Sequence, residues 1–158
     1  MKSIFKHKPI GGVESCALYP ADAVVTALFS SCGCEVELTG TPIEVVLLEE
    51  ASSYEERALM KNGATSVSHR LNLVATKNDA NEWLDNDFIE QASFDGFITV
   101  ITLNDGRRLL AGYSASFGNE QPLRLESIVS ASGNNPHDTP SVTLQLVSCD
   151  TDFSAQIL

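Results

Sequence analysis

The run from Gly96 to Tyr113, GFITVITLNDGRRLLAGY, leaves the chain few options. Two β-rich segments flank Asn104-Asp105-Gly106. Asp-Gly supplies the positive φ of a tight hairpin, either as a two-residue I′ loop or as a type I turn closed by Gly106 in a G1 bulge. On the first arm Phe97, Thr99, Ile101 and Leu103 share one face, and Ile98, Val100 and Thr102 share the other. Both faces are apolar or β-branched, so this strand is predicted to lie inside a sheet covered on both sides.

The rest of the chain arranges itself around that hairpin. Val13 to Tyr19 reads as a strand. Pro20-Ala21-Asp22 opens either a short helix through Leu28 or an irregular loop, although the pair Val24-Val25 also suits a strand. Cys34–Leu38 and Ile43–Leu48 form an expected hairpin across Gly40-Thr41-Pro42. Glu49–Asn62, the most polar internal segment, reads as an exposed loop or a short helix ended by Gly63. Val67 to Ala75 alternates as a half-buried strand, with Val67, His69, Leu71, Leu73 and Ala75 on one face. Asn78–Ala92 is predicted as one helix: Asp79 caps it, Glu82 completes a capping box, and Ala80, Leu84 and Phe88 recur four apart beside Trp83 and Ile89. Leu123–Val129 and Ser141–Ser148 are strands separated by the turn-rich Gly133–Pro140, and the closing CDTDFSAQIL is apolar enough to require a neighbour. Seven or eight strands in mostly hairpin order with one helix give a mainly β (α+β) fold. The expected architecture is an antiparallel β-sandwich or barrel with one amphipathic helix packed on it.

With 158 residues, 43% of them hydrophobic, the chain can bury one proper core. The expected organisation is a flexible N-terminal arm over residues 1–12 and a single β-rich domain over 13–158, since Pro9 and Gly11-Gly12 interrupt regular structure. The basic MKSIFKHK resembles the start of a secretion signal, but PIGGVESCALYP supplies no apolar stretch after it. No run reaches the roughly 18 to 20 apolar residues of a spanning helix. The expectation is therefore a cytoplasmic location at synthesis and no membrane partner. The net charge of −11, from 21 acidic and 10 basic side chains, argues against direct nucleic-acid binding. Only Met1–Lys8 and Arg107-Arg108 are locally basic. The arginine pair fits a grip on an acidic partner and the guarding of an edge strand equally well.

A search for chemistry finds no GxxxxGK[ST], no GxGxxG between strand and helix, no GxSxG and no SxxK. Cys16, Cys32, Cys34 and Cys149 lack the paired two-residue spacing of a zinc site. They are expected as buried free thiols, Cys16 and Cys149 lying on strands. His69 falls on the apolar face of its strand, where an imidazole can serve as base or ligand. A histidine buried with one hydrogen bond, or placed at a sheet margin, is the simpler expectation. His137 and Asp138 read as a solvated loop pair, and Asp85, Asp87 and Glu90 as the outer face of the helix. The sequence thus predicts a non-enzymatic protein with no catalytic, cofactor-binding or metal-binding residues.

The succession of an arm ending in GGV, GFITVITLNDGRRLLAGY, PLRLESIVSASG and a closing SVTLQLVSCDTDF resembles small structural, tail-tube-like proteins of phage and prophage tails from gut Bacteroidetes. The resemblance is one of layout and covers most of the chain after Gly11. It implies a homo-oligomeric structural subunit that self-associates, with other tail proteins as further partners and a virion or tail-like particle as its destination. It also implies that Met1–Gly12 and Glu49–Asn62 order against an adjacent subunit. The chain departs from the family in showing no long, apolar-tipped two-stranded hairpin. The alternative reading is a small cytoplasmic β-sandwich binding module.

Overall fold

The computed structural model describes residues 12–48, 51–132 and 140–158. It is 59% strand and 10% helix, the mainly β (α+β) composition expected. In chain order the elements are β1 (Val13–Pro20), β2 (Val24–Ser30), β3 (Gly33–Leu38), β4 (Ile43–Val45), β5 (Ser53–Lys61) and β6 (Ala64–Thr76). Helices α1 (Lys77–Ala80) and α2 (Asn86–Glu90) and a π-helical turn (Gln91–Asp95) follow. The chain then forms β7 (Phe97–Leu103), β8 (Arg108–Ala111), β9 (Arg124–Ala131), β10 (Ser141–Asp150) and β11 (Ala155–Gln156). Among the described residues no helix is long and apolar enough to cross a membrane.

The strands form three antiparallel sheets, ordered β11-β8-β7-β1-β4, β5-β6-β10-β9 and β2-β3. The two larger sheets enclose the main core. Phe97 and Ile101 of β7 and Cys16 and Leu18 of β1 meet Leu71 and Leu73 of β6 and Val142, Leu144 and Leu146 of β10 there. On the opposite face of the five-stranded sheet, Ile98 and Leu110 are buried with Cys34 in a second cluster, packed by Val24, Phe29 and Val36 of the β2–β3 pair. β7 is therefore covered on both faces, as its composition predicts. Its turn is the type I form: Gly106 N–H donates to the Leu103 carbonyl at 2.9 Å and Leu103 N–H to that of Arg107 at 2.8 Å. Gly106 has φ 92°, while Asn104 and Asp105 stay out of the left-handed region, which excludes the I′ loop. Arg107 folds back on Asp105, with Nε 2.7 Å from Oδ2. β8 is not an edge strand, because Ala155 and Gln156 of β11 pair with Leu110 and Leu109. The C-terminal segment has found the neighbour its composition required.

Four expectations are corrected. The chain after Asp22 is strand β2, not a helix, and it pairs with β3. Ile43–Leu48 does not form a hairpin with Cys34–Leu38; only Ile43–Val45 is strand, and it pairs with β1. Most of Glu49–Asn62 is strand β5, paired along its length with β6. The predicted Asn78–Ala92 helix is interrupted. Thr76, not Asp79, caps α1 by accepting from Asp79 N–H at 3.1 Å, and Asp85 accepts from Phe88 N–H at 2.7 Å to cap α2. Asp85 is extended, at φ −141° and ψ −177°. Its carboxylate competes for the backbone and restarts the helix instead of continuing it. Phe88 still reaches the core, stacking on Phe97 at 5.5 Å between centroids and meeting Trp83 at 5.0 Å. The arm up to residue 11, Glu49, Glu50 and the loop residues Gly133 to Thr139, including His137 and Asp138, lie outside the described residues.

Candidate functional site

Where β5, β6 and the C-terminal segment meet, the inner face of the four-stranded sheet turns polar. Glu56 stands directly across from His69, one step along from Tyr54 opposite Leu71. His69 is buried. Its Nε2 donates to the Asp152 carbonyl at 3.0 Å. Its Nδ1 lies 2.7 Å from the Tyr54 hydroxyl, 3.4 Å from Ser154 Oγ and 3.6 Å from Glu56 Oε1. Tyr54 donates to Glu56 at 2.8 Å and touches Ser154 Oγ at 2.5 Å, while Ser154 N–H donates to Glu56 at 3.0 Å. Burial alone would raise the Glu56 carboxyl, but the bonds from His69, Ser154 and Tyr54 outweigh it and hold the group below its ordinary value. Burial, reinforced by the Glu56 charge, keeps the Tyr54 phenol protonated.

This arrangement differs from that of a nucleophile–base relay. In a nucleophile–base relay the hydroxyl and the carboxylate sit on opposite ring nitrogens. Here Ser154 and Glu56 both face Nδ1, and Nε2 is held by a backbone carbonyl. The result joins the C-terminal segment to the base of the β5–β6 hairpin. Sequence reasoning placed His69 on this face but missed Tyr54, Glu56 and Ser154, the last of them 85 positions away. Among the described residues no group of three or more His, Cys, Asp or Glu side chains is placed to hold a metal ion. Cys16 and Cys34 are buried free thiols, but Cys32 and Cys149 are exposed. Cys149 is on a strand as expected, on an outward position where Ser66 Oγ lies 3.1 Å from its sulfur.

Above this tie the hairpin leaves the body. The pairing of β10 with β6 stops at Asp150 opposite Val67, whereas β5 and β6 continue through Leu59–Ser66 and Met60–Thr65 to Lys61–Ala64. Asn62 and Gly63, at φ 54° and 79°, close a two-residue turn of the I′ kind. Residues 59–66 are all exposed, with Leu59 at 64% and Met60 at 76%. The structure thus carries a two-stranded hairpin with an exposed apolar tip where the sequence suggested a loop or short helix. The helical segment that follows β6 exposes Ile89 and Phe94, the latter at 75%. Asp85, Asp87 and Glu90, expected on an outer face, are exposed there together with Glu82 and Asp95.

A hollow of about 480 Å³ on the outer face of the five-stranded sheet is lined by Ala17, Glu44, Val46, Val100, Thr102 and Arg108. Arg107, tied to Asp105, is not among its lining residues. Comparison with protein-family models, with curated proteins and with solved structures finds no match to this chain.

Proposed function

We propose that this protein is a non-enzymatic structural subunit that acts by self-association, in the phage or prophage tail-like assembly that its layout resembles. The observation that carries the reading is the β5–β6 hairpin. It projects beyond β10, ends in exposed Leu59 and Met60, and is fastened at its base through Tyr54, Glu56 and His69. An apolar tip on a fixed stem is a costly thing to leave in water, and it gains by burial against another surface.

Light scattering on size-exclusion fractions over a rising concentration series tests the reading. A mass that grows from one chain to a defined multiple is the expected result. A chain that stays monomeric into the millimolar range overturns it and favours a binding module using the hollow beside Val100 and Arg108.

A further inference from the structure

Two exposed apolar patches of the molecule, the hairpin tip and the helical segment, differ in charge. Phe94, whose carbonyl accepts from Arg124, lies level with Arg70 across β10, so about 20 Å of β6 at about 3.3 Å per residue separates it from the hairpin tip. At the tip, residues 59–66 carry Lys61 and no carboxylate, and below it Arg57 is paired with Glu55 at 2.9 Å. At the helical segment, residues 78–95 carry Asp79, Glu82, Asp85, Asp87, Glu90 and Asp95, outnumbering the neighbouring Lys77 and Arg124, whose Nε donates to the Phe94 carbonyl at 3.2 Å. Resting on the self-association reading, we propose that the hairpin tip of one copy docks on the helical segment of the next, with Leu59 and Met60 against Ile89 and Phe94.

Charge selects the occupant. Two copies with a net charge of −11 each repel as whole bodies, so contact requires a local match within about 8–10 Å, the range over which salt leaves charges visible. A basic tip on an acidic lobe supplies that match. Tip against tip, or lobe against lobe, sets like charges together. The exposed Val25 and Leu28 on β2 are the weaker acceptor, because only Glu35 and Glu37 accompany them in the β2–β3 pair. The β5–β6 pairing carries the tip past the end of β10 and away from its own lobe. The contact therefore uses different surfaces on its two partners and repeats from copy to copy, closing as a ring or extending as a filament.

Two variants of the full chain test this, both at exposed positions: Met60→Glu, which spoils the tip, and Phe94→Lys, which spoils the lobe. Circular dichroism first establishes that each is folded. Each alone is expected to associate about tenfold or more weakly than the parent, the loss that follows removal of one apolar anchor from an interface. Mixed in equal amounts, they are expected to form a one-to-one dimer and nothing larger, since one variant keeps a working lobe and the other a working tip. A parent that associates while both variants still associate equally well overturns the docking surface and leaves the self-association reading standing. Variants that are each monomeric and do not combine overturn the head-to-tail geometry. Loss of association on deleting residues 2–11 assigns the lobe to the basic arm instead of the hairpin and overturns the proposal. A parent that never associates removes the reading on which it rests.

Discussion

Strand β7 carries a packed layer on each face, whereas the last three residue pairs of the β5–β6 hairpin carry none on either. Both hairpins turn on a glycine with positive φ, Gly106 at 92° and Gly63 at 79°, and both are fully paired between their own strands. What separates them is burial. β7 is held by its neighbours, so its cost of unfolding is the cost of unfolding the molecule. Apart from the contact of Ser66 with Cys149, the β5–β6 tip is held by its own ladder, and an isolated two-stranded ladder is marginal in water. An element of low local stability, made of apolar residues and fastened below by buried polar bonds, has the physical character of a contact waiting for its partner.

The largest effects should fall on the packed side of this contrast. Phe88→Ala and Phe97→Ala each remove a buried ring from the main core and should cost about 3–5 kcal/mol. Met60→Ala should change stability by no more than about 0.5 kcal/mol. Urea midpoints measure both. A Met60 effect comparable to that of Phe97 would show the tip to be packed in the single chain.

The turns give the next largest difference. Nothing lies within 4 Å of a Cβ built at Gly106 or Gly63, so a substitution meets backbone strain alone at either site. Gly106→Val should destabilise the domain by about 1–3 kcal/mol, because β7 and β8 cannot yield. Gly63→Val should lower the melting temperature far less, since the tip can open locally and relieve its strain. Equal losses at the two glycines would abolish the distinction.

The smallest effect concerns the base of the hairpin and depends on pH. The folded Glu56 carboxyl titrates below its ordinary value of 4.5. Its contribution is therefore present above that value and is lost as the pH falls through the folded one. Glu56→Gln should weaken the domain at neutral pH and flatten its loss of stability on acidification. A variant whose stability falls with acid as steeply as the parent's would show that Glu56 does not stabilise this junction as an anion.

The same contrast explains what could be read from the sequence. β7 and β8 announce themselves through β-branched alternation around Asp-Gly, and β6 through the alternation from Val67 to Ala75. β5 conceals itself. Glu55, Glu56, Arg57, Ala58, Leu59, Met60 and Lys61 are good helix formers, and charges stand on both of its faces, so no two-residue period is visible. Pairing with β6 overrides that propensity, and Asn62-Gly63, a strong I′ hairpin signal, is the one local mark of it. In the helical segment the spacing of Ala80, Leu84 and Phe88 located the buried side correctly. The side chains of Thr76 and Asp85 set the actual boundaries. His69 could be placed on its face because alternation fixes it. Its partners Tyr54 and Glu56 lie on the concealed strand, and Ser154 arrives through tertiary folding alone.

Amide hydrogen exchange at low and high protein concentration, followed together with mass, tests the account most directly. In the dilute monomer, residues 59–66 should exchange by local opening while β7 exchanges only with global unfolding. As the mass rises, protection should grow at 59–66 and at the helical segment around Phe94, with β7 unchanged. A rise in mass that leaves the tip's exchange as fast as in the monomer would contradict the claim that the exposed hairpin is the associating element.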